Sequence, residues 1–241
     1  ASLTGTSMAS PNVTGTLLLL QEHAKNVTGN FYRAATLKGL ALHTADDAGT
    51  TGPDAIFGWG LLNAKKAAET ITNNGSSSKI QEMTLTNGQT ITLTVNSNGT
   101  QPLFASISWT DPAGTATTSL NNTTPKLVND LDLRVTQGST THLPWRLTGV
   151  TTNGKGDNIR DPFERVEVAG ASGTYTITIT HKGTLTNSSQ NFSLIVTGLS
   201  ATPVECTATV PTGLAVSNVT STGATVNWTS VPGATYDVQY K

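Results

Sequence analysis

Seven residues near the start of the chain, Gly5-Thr6-Ser7-Met8-Ala9-Ser10-Pro11, carry the residue types that nucleophilic catalysis uses. A glycine and a hydroxyl residue lead into Ser7, and an apolar, helix-like run follows from Ala9 to Leu20. That order presents Ser7 at the N-terminal end of a helix. The first-turn N–H groups have no intrahelical acceptor there, and the positive end of the helix dipole lies at the same place. A serine attacking a carbonyl builds negative charge on oxygen, and donors fixed in advance stabilise that charge without reorganising. Pro11 suits a first turn, where its missing N–H costs nothing. Residue types alone leave a second reading, in which Ser7 is a helix cap.

A serine nucleophile needs a general base in hydrogen-bond reach, and the base needs an orienting acid. Only six residues precede Ser7, and none is His or Asp. His23 follows by 16 residues on the same expected helix, about 24 Å along the axis at ~1.5 Å per residue. It cannot reach. His43 reads as a packing or surface residue of a second helix, and His142 and His181 fall in a β-rich region. No H-x-x-x-H or Cys/His pairing suggests zinc.

The heptapeptide resembles the nucleophile motif G-T-S-M-A-x-P of the subtilisin-like serine peptidases (subtilases), matched at every fixed position. Leu37–Asp47 and Gly58-Trp-Gly-Leu-Leu-Asn-Ala64 are similar to the closing helices and turn of the same catalytic domain. The resemblance implies that Ser7 is the nucleophile and that its backbone N–H is an oxyanion donor. Gly5 and Thr6 would border the substrate pocket. In subtilisin the triad runs Asp, His, Ser along the chain, so base, acid and the side-chain oxyanion Asn are all expected upstream. No cofactor is required for such catalysis.

The elements that would hold this site divide by period. Residues 1–72 read as helical with Gly-rich connections: the Ser7 helix, a second over Tyr32–Thr44, and a short one capped by Asn63 and running through Thr70. Phe57-Gly-Trp-Gly60 reads as a tight apolar turn. Three such pieces cannot close a core alone, so 1–72 reads as the C-terminal part of a larger α/β subtilase domain whose sheet lies elsewhere. Residues 73–79 are linker-like by composition.

Beyond the linker the period becomes two. Thr90–Val95, Ser106–Trp109, Tyr175–Thr180 and Asn191–Val196 alternate, with Asp-Pro, Asn-Gly and Gly-Ser-Thr clusters between them. This predicts an all-β antiparallel jelly roll or sandwich over 80–200. Trp109-Thr-Asp-Pro112, Leu127-Val-Asn-Asp-Leu-Asp-Leu133 and Ala171–Ile177 resemble the jelly-roll domain that follows the catalytic domain in some bacterial subtilases, related in role to the P domain of kexin-like proteases. After a second linker at 201–209, residues 210–241 resemble the opening strands of a fibronectin type III domain. Both ends read as cut, and the whole as a piece of a longer secreted protein. The β domain, with a linker on either side, is expected to fold on its own.

Net charge is −1, from 14 basic and 15 acidic residues, which leaves no basic field for nucleic acid and no polybasic hold on a membrane. The longest apolar run, Leu17–Leu20, is far too short to span a bilayer. The opening is polar and does not read as a signal peptide. Cys206 is the only cysteine, so no intrachain disulfide forms. Richness in Thr, Asn, Ser and Gly suits an extracellular or surface protein.

Asp130 and Asp132 alternate with Leu131 and Leu133, which puts both carboxylates on one strand face, with Asp111, Asp157, Asp161 and Glu164 in or near adjacent turns. Oxygen-rich loops suit Ca²⁺, and the resemblance to subtilase β domains, some of which bind it, implies structural calcium here. The same residues also read as solvated polar faces. The expected function is a serine endopeptidase acting on proteins and peptides, with this chain holding only the Ser of its triad. The rival reading is a non-catalytic β-rich accessory or adhesion array.

Overall fold

The change of period near residue 73 becomes a change of layer. The computed structural model describes residues 4–200 and 211–231, and the chain falls into two units, Ala1–Thr202 and Pro203–Lys241. The first unit opens with helices α1 (Thr6–Thr28), α2 (Ala34–Thr44) and α3 (Ala64–Thr72). Gly29 ends α1 in the left-handed conformation at φ 76°, its N–H returning to the Lys25 carbonyl. Asn63 caps α3, accepting from the Lys66 N–H at 2.9 Å.

Ten strands follow in this unit: β1 (Ser78–Thr86), β2 (Ile91–Asn98), β3 (Leu103–Trp109), β4 (Leu131–Gln137), β5 (Thr140–His142), β6 (Trp145–Leu147), β7 (Asn153–Lys155), β8 (Phe163–Val168), β9 (Ser172–His181) and β10 (Ser189–Thr197). Eight of them build two four-stranded sheets, ordered β1-β10-β3-β8 and β2-β9-β4-β5, and β6 pairs with β7 alone. Every pairing is antiparallel.

Alternation decides which face each residue takes. Leu103, Ala105, Ile107 and Trp109 of β3 point between the sheets, where they meet Leu131, Leu133 and Val135 of β4 and Ile177 and Ile179 of β9 in one buried core. The first sheet is covered on its other face as well. Ile80 of β1 and Ile195 of β10 join Leu20 and Ala24 of α1, Leu40 of α2, and Ala67 and Ile71 of α3 in a second core. Part of the helices' apolar surface, expected to need a sheet from elsewhere, thus finds one in this chain, while Leu18 and Leu19 of α1 stay exposed.

Contact is close where α2 crosses the sheet. A β-carbon at Gly39 would stand 3.0 Å from Ile195 Cδ1 and 3.1 Å from Ser108 Cβ. Polar pairs reinforce it: Thr36 Oγ1 with Ser193 Oγ at 2.7 Å, and Lys38 Nζ donating to the Trp109 and Pro162 carbonyls at 2.8 and 3.0 Å. The segment 73–79, expected as a linker, is the turn into β1, with Ser78 Oγ donating to the Thr70 carbonyl at 2.6 Å. It marks a change of secondary structure and not a gap in packing.

The 45–61 stretch is held from both layers. Gly60, at φ 109°, lies so close to Asp46 that a β-carbon would meet its carbonyl oxygen at 2.0 Å; only glycine fits. Trp59 sets its ring edge-on to Phe163 at 5.0 Å, and the Arg165 guanidinium lies over it at 4.8 Å. The Asn153 side chain donates to the Thr51 and Pro53 carbonyls, both at 2.9 Å.

In the second unit, β11 (Ala215–Ser217) pairs antiparallel with β12 (Thr225–Asn227). The second linker, Cys206 and Tyr236–Tyr240 lie outside the described residues. Among the described residues no helix is long and apolar enough to cross a membrane.

Candidate active site

Gly5 precedes α1 in an extended conformation, φ 159° and ψ 167°, and its carbonyl accepts the first helical bonds, from Met8 and Ala9 N–H at 3.0 and 3.2 Å. The N–H groups of Thr6 and Ser7 therefore lie ahead of the first intrahelical bond, at the positive end of a 23-residue helix. Ser7 is exposed, as is every described residue up to Gly15. The helix starts at Thr6, beside Ser7 as the sequence suggests, but Pro11 lies inside it and not in its first turn. Lacking an N–H, Pro11 cannot donate to the Ser7 carbonyl one turn back.

The four histidines are engaged elsewhere. His23 Nε2 bonds Thr72 Oγ1 at 2.9 Å, tying α1 to α3. His43 is buried, with Nδ1 at 2.7 Å from Ser106 Oγ and Nε2 at 2.9 Å from Thr197 Oγ1. Burial, aided by the nearby Arg165 charge, lowers its pKa to about 3. His142 packs near Tyr175, and His181 Nε2 accepts from the Gly88 N–H at 2.8 Å. Among the described residues, the first turn of α1 presents the exposed Ser7 hydroxyl beside two N–H groups that precede the helical bonds, and each histidine has its contacts elsewhere.

Asp130 and Asp132 do share a direction: both reach Lys182, at 3.5 and 2.5 Å. Arg134 adds contacts to Asp132, at 3.2 Å, and to Asp157. Burial raises the Asp130 pKa against the pull of Lys182. Burial works against the Lys182 charge, but Asp132 and then Asp130 and Asp157 outweigh it and raise that pKa. The remaining acids hold backbone or amide donors: Asp111 accepts from Val128 and Asn129 N–H at 2.7 and 2.9 Å, and Asp161 accepts from Asn158 Nδ2 at 3.0 Å. Each carboxylate of the Asp130–Asp132–Asp157 group already has an ammonium or guanidinium partner, which offsets two of its three negative charges without an ion. Among the described residues no three His, Cys, Asp or Glu side chains are grouped to hold a metal. The melting temperature is therefore expected to be the same in millimolar calcium and in chelator; a calcium-dependent rise of several degrees would assign Asp130 and Asp132 to the ion.

Glu164, which reads in sequence as one more turn acid, has a different place. It lies on β8, opposite Ile107, and is fully buried between the sheets. Its Oε2 accepts from the Leu133 N–H of β4 at 2.6 Å, and Oε1 from the Asn158 N–H at 3.4 Å. Because β5 pairs with β4 only over Val135–Gln137, the carboxyl supplies a bond that a neighbouring strand would otherwise make. Burial pushes its pKa up to about 8, with Asp132 adding to the rise and Leu133 and Arg134 opposing it.

The Peptidase_S8 profile (Subtilase family) matches residues 1–60. The serotype-specific antigen 1 of Mannheimia haemolytica is 34% identical over 99 residues, which are 41% of this chain and 9% of that protein. The autotransporter lipoprotein NalP of Neisseria meningitidis serogroup B is 46% identical over 66 residues, 27% of this chain and 6% of that protein. The chain thus spans less than a tenth of either relative. Among solved structures, a periplasmic inhibitor of g-type lysozyme from Aeromonas hydrophila covers 51% of this chain and 87% of its own, at 14% identity and a TM-score of 0.26. That score carries no argument about fold or function. The similarity to the subtilase profile is confined to residues 1–60.

Proposed function

We propose that this chain belongs to a serine endopeptidase of the subtilisin-like family and carries the nucleophile of its triad, Ser7. The observation that carries the reading is the Gly5–Pro11 motif standing at the start of α1, with Ser7 exposed in the first turn, inside the segment that matches the family. An exposed hydroxyl beside N–H groups not yet used by the helix is the arrangement that acyl transfer needs.

In this mechanism Ser7 Oγ attacks the scissile carbonyl while a histidine from another part of the polypeptide takes its proton, oriented by an aspartate. The oxyanion is held by the Ser7 N–H and an asparagine, also from elsewhere, and water then releases the acyl-enzyme. Gly5 and Thr6 border the pocket. The substrate is a protein or peptide, and the chemistry asks for no cofactor.

Residues 1–72 would complete the catalytic domain in this reading. Apolar side chains left bare on α1, with Leu18 70% and Leu19 66% exposed, support further packing there. Residues 80–200 would form a jelly roll. Of the eight sandwich strands in chain order, one sheet takes the first, eighth, third and sixth and the other the second, seventh, fourth and fifth, an order two Greek keys produce. The pair β11–β12 supports a fibronectin type III opening over 210–241. A secreted or surface location is supported by relatives named as an autotransporter lipoprotein and a serotype-specific antigen.

Ser7→Ala in the full-length protein tests the reading. Casein or peptide turnover should fall at least ~1000-fold with the fold intact. Hydrolysis retained by the alanine variant would remove Ser7 from the chemistry.

A further inference from the structure

Helix α1 is held only along its C-terminal half by the described residues. Leu17, Leu20 and Ala24 enter the helix–sheet core, whereas Ser7 and its neighbours up to Gly15 are exposed. Two polar ties occur in the held half. One is the His23–Thr72 bond. The other is a clasp: Gln21 Nε2 donates to the Tyr32 carbonyl at 2.8 Å, and Gln21 Oε1 accepts from the Tyr32 N–H at 2.9 Å. Both ends of one planar amide grip one residue's backbone, which restrains rotation and tilt of α1 more than a single bond can.

The gripped backbone is itself fixed to the sandwich. Glu82 of β1 accepts on Oε1 from the Arg33 N–H at 2.7 Å and from Thr36 Oγ1 at 2.5 Å, and its Oε2 pairs with Arg33 Nε at 3.3 Å. Thr36 also meets Ser193 of β10. A continuous bonded path therefore runs from two strands of the sandwich, through residues 32–36, to Gln21 of the nucleophile helix.

We infer that Gln21 and Glu82 are positioning residues for Ser7, and that through them the sandwich sets the direction of α1. This rests on the peptidase reading above. Ser7 lies 14 residues before Gln21, about 21 Å along the axis at ~1.5 Å per residue. A tilt of about 5° at the clasp moves Ser7 by nearly 2 Å, and a misplacement of ~1 Å can cost ~10²-fold in rate.

The test has two arms. In the full-length protein, assayed well below each variant's melting temperature, Gln21→Ala and Glu82→Ala should lower kcat about 10–100-fold with KM within about twofold. Gln21→Glu, which keeps the acceptor but loses the donor, should fall between Gln21→Ala and wild type. In this chain, carrying Cys206→Ser with nitroxides at Ser10→Cys and Thr94→Cys, the Gln21→Ala distance distribution should shift or broaden. A merely stabilising role would lower the melting temperature and move neither readout. Unchanged kcat and unchanged distances, in a protein that Ser7→Ala inactivates, would overturn the positioning role alone. Activity surviving Ser7→Ala would overturn the peptidase reading and this inference with it.

Discussion

Glu164→Gln should make the chain more stable at pH 8 by about 5 kcal/mol, and leave its stability below pH 4.5 almost unchanged. The glutamate ionises near 4.5 when unfolded and near 8 when folded. The folded state therefore keeps a proton that the unfolded state gives up, and stability drains away as pH rises between those values. A displacement of that size corresponds to about 5 kcal/mol. Glutamine keeps an oxygen for the Leu133 N–H and has no charge to bury, so the drain should vanish. Urea unfolding midpoints in chelator across about pH 4–9 read this directly. A variant whose stability runs parallel to wild type across that range would mean that Glu164 is ionised in the folded protein.

His43 imposes the opposite limb. Its pKa falls from 6.5 to about 3 on folding, so the unfolded chain takes up a proton that the folded chain refuses. The His43 contribution is complete above pH 6.5 and is lost as pH falls toward 3, again by about 5 kcal/mol in total. His43→Gln should cost about 1–2 kcal/mol at neutral pH for its lost ring contact with Phe104, yet be more stable than wild type near pH 3. The two slopes cancel between pH 4.5 and 6.5, which predicts a stability plateau in mildly acid solution. The plateau's acid edge belongs to His43 and its alkaline edge to Glu164. A His43→Gln variant that loses stability in acid as steeply as wild type would show that another group sets the acid edge.

Local chemistry is what the sequence makes legible. Period two places Thr90–Val95, Ser106–Trp109 and Tyr175–Thr180 on strands, off only at Thr90, because alternation survives any tertiary context with one buried face. The Asn63 cap and the Gly-rich turn at 58–60 are legible for the same reason: each is a short-range requirement. The docking of helices on sheet is not. Ser106, Ser108 and Ser193 look like solvent-facing residues in sequence, but they lie buried under α2, and only the long-range packing of Gly39 and Thr36 against them says so. Glu164 passes for a loop acid because its charge gives no hint that its strand points it inward. Asp132 lies on β4 and Asp130 just ahead of it; both reach Lys182, which lies 50 residues downstream of Asp132, beyond any spacing rule.

Covalent labelling reads whether Ser7 is the nucleophile that its place at the start of α1 makes it in the proposed function. The full-length protein would be treated with a fluorophosphonate, digested with trypsin and mapped by mass spectrometry. Phosphonylation confined to Ser7, absent after Ser7→Ala and matched one-to-one by loss of peptide hydrolysis, is the predicted result. Active protein that carries its label on another serine, or none, would contradict it.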